Sequence, residues 1–217
     1  MGPPTTPPDD RLPELLRRAG EGDPLALGEL FGEHRARLRR MVQARLDRRV
    51  QGRLDPSDVL QEAYLDIAAR AAEYAAKPGM PFFLWLRFLT GQRLLMTHRK
   101  HLGAKMRDVG QEVSLYHGAL PQASSASLAA HLLGRLTSPS QAAVRTELQL
   151  KLQEALNAME PLDREVLTLR HFEQMSNDEA AQALGLAKSA ASKRYVRALK
   201  RLRDVLATLP GFGDYSE

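Results

Sequence analysis

Residues 162–206 constrain this chain more than any other stretch. Ser176-Asn177-Asp178-Glu179 has the form of a capping box: the Ser hydroxyl accepts a free helical N–H and the Glu carboxylate reaches back to the Ser N–H. The helix it opens carries Ala180, Ala181, Ala183 and Leu184 and stops at Gly185, which tolerates the left-handed turn. A second helix follows from Ala187 or Lys188 to Leu206. This is helix-turn-helix spacing, and the second helix of such a unit reads DNA in the major groove.

The faces of that helix agree. Ala191, Tyr195, Ala198, Leu202 and Leu206 form one apolar stripe. Ser189, Lys193, Arg197 and Lys200 gather on the far side, flanked by Ser192 and Arg203. Residues 188–203 hold seven Lys or Arg and no acid, a surface attracted to phosphate whose hydroxyls and guanidinium also suit base edges. Charge alone would fit an ordinary solvated helix. The capping box, the Gly turn, the small Ala191 at the crossing and the one-sided charge together favour DNA.

Composition sets bounds on the rest. The 217 residues suffice for one large domain or two small ones, and 43% apolar with only 6% aromatic residues predicts helices packed by Leu, Ala and Val. The net charge of +5 is modest, but its distribution is uneven: residues 35–53 carry eight Arg against the single Asp47, and residues 55–66 are acidic. The absence of cysteine excludes disulfides, thiol catalysis and Cys-ligated zinc. No apolar run is long enough to cross a membrane and no hydrophobic signal segment opens the chain, so a cytoplasmic location is expected.

Along the chain, residues 1–11 read as a disordered lead-in with four prolines. Helical periodicity runs over Leu12, Leu15, Leu16 and Ala19 and breaks at Gly20-Glu21-Gly22. Asp23-Pro24 starts a helix burying Leu27, Leu30, Phe31, Leu38, Met41, Val42 and Leu46. Asp55-Pro56-Ser57 starts a third, with Val59, Leu60, Ala63, Tyr64, Ile67 and Ala68 inward. After the sharp loop at residues 77–81 comes a long helix over residues 82–100 containing Trp85. Residues 108–146 break the pattern with Ser-rich stretches around a brief amphipathic piece at 128–136, a linker expected to gain structure only against a partner. Helix resumes at residues 148–159 and again at 162–172. No segment alternates like a strand. The fold class expected is all-α: two small helical domains on a flexible linker.

In this order and spacing the motifs resemble those of the extracytoplasmic-function sigma factors of bacterial RNA polymerase. Leu162-Asp163-Arg164-Glu165-Val166-Leu167, then Phe172-Glu173 and the helix-turn-helix, is similar to sigma region 4. Asp55-Pro56-Ser57-Asp58-Val59-Leu60-Gln61-Glu62-Ala63-Tyr64 resembles the region 2 helix that docks on the β′ clamp. Phe83-Leu84-Trp85-Leu86, reaching Arg99-Lys100, resembles the segment that opens and captures promoter DNA. The resemblance implies region 2 over residues 12–107, a linker over 108–146, region 4 over 147–209 and a tail from 210 to 217.

It also implies site residues. Lys188, Ser189, Ser192, Lys193 and Arg197 would contact the −35 element. Lys77, Trp85, Gln92, Arg93, Arg99 and Lys100 would act at the −10 element, with Arg87 as a further candidate for holding the separated strand. Asp55, Asp58, Gln61 and Glu62 would dock on polymerase. Trp85 and Phe88 have core packing as an equal alternative. Gln92 and Met96 stand where many relatives carry Asn and Asp. Ala187 replaces the usual Ser or Thr cap and Ala191 a larger apolar residue.

Core RNA polymerase, promoter DNA and an anti-sigma factor are the implied partners, with no membrane and no small-molecule substrate. The six His residues lack ligand spacing, and triads, phosphate loops and dinucleotide fingerprints are absent. No catalytic residue, cofactor or metal is expected. The competing readings are a stand-alone helix-turn-helix transcription regulator and an adaptor whose basic helices bind an acidic protein.

Overall fold

Pro24 behind Asp23 and Pro56 behind Asp55 open the two long helices of the N-terminal half, where a proline has no needed N–H to lose. Asp23 accepts from the Leu25 and Ala26 N–H groups at 2.9 and 3.3 Å. At Asp55 the arrangement is a full capping box, a second one that the sequence reading had only as a single cap. Asp55 accepts the Ser57 N–H at 2.7 Å, and the Asp58 carboxylate accepts the Asp55 N–H at 3.0 Å.

The computed structural model describes residues 11–47, 49–50, 52–102, 120–136 and 142–207. Among these there are nine α-helices, one turn of π-helix and no strand, so the fold is all-α. The helices α1 (Leu12–Gly20), α2 (Pro24–Arg45), α3 (Pro56–Ala76) and α4 (Phe82–Leu102) form one bundle. Leu30, Leu38, Met41, Leu60, Ile67, Leu86, Leu89 and Leu94 are enclosed at its centre, each worth about 1.5–3 kcal/mol of burial. The expected inward stripe of α3 holds except at Ala68, which is exposed; Ala71 and Tyr74 continue the stripe instead.

The second bundle comprises α5 (Ser125–Leu136), α6 (Ala142–Asn157), α7 (Pro161–Leu167), the π turn (Thr168–Phe172), α8 (Asn177–Leu184) and α9 (Lys188–Ala207). Its core includes Leu128, Leu133, Leu148, Leu152, Leu156, Ala198 and Leu202.

One expectation needs correction. The interval 108–146 is not without structure of its own. Helix α5 lies inside it and packs along α6, burying Leu128, Ala129, Leu132 and Leu133, and α6 begins at Ala142. The partner that orders this short amphipathic piece is the chain itself. The remainder of that interval at 108–119 and 137–141, the lead-in at 1–10 and the tail at 210–217 lie outside the described residues.

The two halves also pack against each other. Leu169, Met175 and Ala180 belong to the core of the first bundle, and Ala44 of α2 to that of the second. The Ser124 N–H donates to the Ala44 carbonyl at 2.8 Å. Leu120 presses on α4 at Gly91, where a Cβ would meet the Leu120 Cδ2 at 1.8 Å, so any side chain at 91 would have to displace that of Leu120.

Candidate nucleic-acid and polymerase interfaces

The helix-turn-helix forms as its residues dictate. Ser176 Oγ accepts the Glu179 N–H at 3.1 Å and the Glu179 carboxylate accepts the Ser176 N–H at 2.7 Å. Gly185 closes α8 at φ +60°, a conformation that costs an L-residue about 1 kcal/mol or more. Asn177 Nδ2 donates to the Lys188 carbonyl at 2.9 Å, holding the start of α8 against the start of α9. Ala191 is fully buried at the crossing.

Lys188, Ser189, Ser192, Lys193, Arg197 and Lys200 are all exposed, so α9 presents the cationic face the sequence implied. Lys188 pairs with Asp178 at 2.8 Å with both side chains in solvent, a contact worth little. Arg197 is different. Its Nε and Nη2 donate to Asp163 of α7 at 2.6 and 3.0 Å, and Arg194 donates to the same carboxylate at 2.7 Å. Burial pushes the Asp163 carboxyl up, but these two guanidiniums outweigh it and hold it below its ordinary value. Arg197 therefore fastens α9 to α7 as well as facing outward.

On α3, Asp55, Asp58, Gln61 and Glu62 are exposed along one side, joined by Leu65, an exposed apolar residue the sequence reading passed over. Asp55 and Asp58 also cap the helix. The Ser57 backbone N–H is the main reason the Asp55 carboxyl lies below its ordinary value. Glu62 approaches Arg93 of α4 at 3.6 Å, and Arg93 forks onto Asp66, its Nε at 2.7 Å. The expected docking face and the expected strand-contact helix thus share an ion-pair network.

The −10 candidates divide into two groups. Lys77, Gln92, Arg99 and Lys100 are exposed, and Met96 joins Gln92, Arg99 and Lys100 on the outward side of α4. Arg70 Nη1 donates to Gln92 Oε1 at 3.5 Å. Trp85 is half-buried. Its ring stacks on Tyr74 with centroids 4.4 Å apart and lies 5.8 Å from Phe82, which matches the core alternative. The Tyr74 hydroxyl donates to the Met80 carbonyl at 2.7 Å and so braces the loop before α4.

Arg87 is turned away from solvent and does not join the strand-holding row expected of it. It belongs to a cluster between the halves that sequence reasoning missed. The Glu173 carboxylate, with no exposed side-chain surface, lies between Arg87, whose Nε donates at 2.7 Å, and the fully buried Arg45. Arg45 also pairs with Glu165. Burial alone would raise the Glu173 carboxyl, yet Arg45 and Arg87 hold it below its usual range. Around this centre, Arg37 of α2 donates from Nε to the Glu173 carbonyl at 3.3 Å and from Nη2 to both Glu179 oxygens at 3.0 and 3.1 Å, its guanidinium 3.5 Å over the Phe83 ring. Arg40 donates to Gln174 Oε1 at 2.6 Å. Gln174 has φ +55°, the one positive φ at a non-glycine among the described residues. The excess of Arg at 35–53 was the available signal. The acids that answer it stand more than a hundred residues later, beyond the reach of any local pattern.

Comparison with known proteins bears on this arrangement. Residues 149–202 match the family model "Sigma-70, region 4". The RNA polymerase sigma factor NccH of Alcaligenes xylosoxydans xylosoxydans is 31% identical over 193 residues, covering 88% of this chain and 92% of that protein. The ECF RNA polymerase sigma factor SigD of Mycobacterium tuberculosis is 26% identical over 216 residues, covering 100% of this chain and 92% of its own length. The chain belongs to the extracytoplasmic-function sigma factors. A solved structure titled "Structure of CnrH in complex with the cytosolic domain of CnrY" shares the fold, with a TM-score of 0.53 at 21% identity over 91% of this chain and 97% of that one. Because similarity to sigma factors runs through both halves, the stand-alone regulator is the poorer account. Among the described residues, no helix of this sigma factor is long and apolar enough to cross a membrane.

Proposed function

We propose that this sigma factor directs transcription initiation by joining core RNA polymerase and selecting promoters through two elements. Region 2, residues 12–107, docks on the β′ clamp through Asp55, Asp58, Gln61 and Glu62 and recognises and melts the −10 element along the loop at Lys77 and the outward side of α4. Region 4, residues 147–209, reads the −35 element with Lys188, Ser189, Ser192, Lys193 and Arg197. Phosphate contacts from the Lys and Arg residues position α9, and base-edge contacts from its hydroxyl and guanidinium groups specify sequence. Residues 108–146 link the two readers, with α5 riding on region 4. The polymerase supplies the covalent chemistry, in the cytoplasm, and an anti-sigma factor is a third partner of the proposal.

The observation that carries this reading is the exposed cationic face of α9, set on a capped helix-turn-helix within a chain similar to sigma factors along nearly its whole length. The test is in-vitro transcription with cognate core polymerase. Adding the chain should produce initiation at a defined start site that core alone does not use. A chain that never alters promoter choice overturns the proposal.

A further inference from the structure

The guanidinium of Arg93 faces an acid from each of its nitrogens. Nε donates to Asp66 Oδ2 at 2.7 Å, Nη2 pairs with Asp66 Oδ1, and Nη1 lies 3.6 Å from Glu62 Oε2. We propose that Arg93 is a positioning residue of the polymerase-docking face: clamped by Asp66, it orients the Glu62 carboxylate for docking instead of holding promoter DNA. This inference rests on the reading that α3 docks on core polymerase.

Helix geometry forces the arrangement. Glu62 and Asp66 stand one turn apart on α3, where residues four apart are neighbours and two carboxylates repel. Helix α4 packs beside them, fixed by the buried Leu89 and Leu94, and Arg93 supplies the cation that both acids need.

The two acids are not held alike. Asp66 takes the planar fork, in which a guanidinium grips a carboxylate at two points. The Arg93 and Asp66 side chains are only 23% and 31% exposed, so solvent screens this pair less than an open one. Glu62 is 53% exposed and meets the remaining nitrogen beyond hydrogen-bond length. It is oriented without being consumed, and can still pair with a cation on another protein. Restricting a flexible Glu beforehand spares side-chain entropy that docking would otherwise cost. A DNA phosphate approaching Arg93, by contrast, would meet the repulsion of both acids. Arg99 and Lys100 of the same helix are exposed on its outward side, where a strand can reach them.

Binding kinetics of the full chain on immobilised core polymerase test the assignment. Arg93→Gln removes the clamp and should weaken binding roughly 3- to 10-fold, the cost of one side chain left free to move. The loss should lie in faster dissociation. Taking away a cation leaves the face more acidic, so a bare charge effect would speed association with a basic partner instead. Glu62→Gln should also weaken binding, and adding Arg93→Gln to it should weaken binding no further, because Arg93 acts through Glu62.

Should Arg93→Gln lower the melting temperature, a charge-swapped pair decides. Asp66→Arg with Arg93→Asp rejoins α3 to α4 and gives Glu62 a cation one turn away on its own helix, so dissociation should return to within about twofold of the unmodified chain. Unchanged dissociation in Arg93→Gln, additive losses in the double variant, or a swapped pair that stays weak overturns the inference. Gln61→Arg separates the two possible failures. If it weakens core binding while Arg93→Gln does not, this inference alone falls; if neither does, the docking reading falls and takes this inference with it.

Discussion

Lys193 and Arg197 lie one turn apart on α9 with different obligations. Lys193 is exposed and Arg197 is bound to Asp163. Lys193→Ala is expected to weaken binding to a −35 duplex by about 1–3 kcal/mol and to flatten its salt dependence, leaving core binding and thermal stability unchanged; fluorescence anisotropy across a salt series checks both. Asp163→Asn leaves Arg194 and Arg197 with only the exposed Glu160 as a shared acid and should destabilise the C-terminal bundle by about 2 kcal/mol, read as a lowered Tm. On the docking face, Asp58→Arg would confuse two effects because Asp58 also caps α3. Gln61→Arg is the cleaner substitution, predicted to reduce affinity for core polymerase severalfold with no loss of stability. Residue identity was legible in the sequence at these places, but the second duty of each residue was not. Asp58 as cap and Arg197 as clamp emerge only when a neighbouring backbone or helix arrives.

The helices themselves were largely foreseen, and for a local reason. Capping residues, prolines in first turns and the period of apolar side chains act within a few residues, so α2, α3, α4, α8 and α9 begin and end close to where the sequence put them. Ser176→Ala should cost about 1 kcal/mol through loss of the hydroxyl that accepts the Glu179 N–H, while the backbone N–H at 176 still donates to the Glu179 carboxylate and leaves its hold on Arg37 in place. Differential scanning calorimetry of the variant checks the cost. Helix α5 was undervalued because Ser-rich neighbours concealed a short apolar stripe whose value depends on α6 lying beside it. The π turn at Thr168–Phe172 had no sequence signal at all. It is defined by the Glu173 N–H returning to the Thr168 carbonyl at 3.1 Å, and it ends one residue before Glu173, which enters the interface.

At the scale of the whole molecule, the closed arrangement depends on the ionisation of Glu173, faced by Arg45 from α2, Arg87 from α4 and, through Arg45, Glu165 from α7. The carboxyl is held below its ordinary value in the folded state. Its contribution is therefore fully present above the unfolded carboxyl pKa of about 4.3 and is lost as pH falls through the lower, folded value. The melting temperature should stay constant from about pH 7 to pH 5 on this account and fall only on further acidification; a fall already at pH 6 would assign the cohesion to other groups. The amino-acid order alone determined the all-α class, the two bundles, the capped helix-turn-helix and its cationic reading face, because each follows from interactions spanning a turn or two of helix. Only the tertiary structure decided that Arg45, Arg87 and Glu173 share one buried site and that the halves close on each other. Such a site joins residues far apart in the chain, and its strength comes from exclusion of water, which no local pattern of residues encodes.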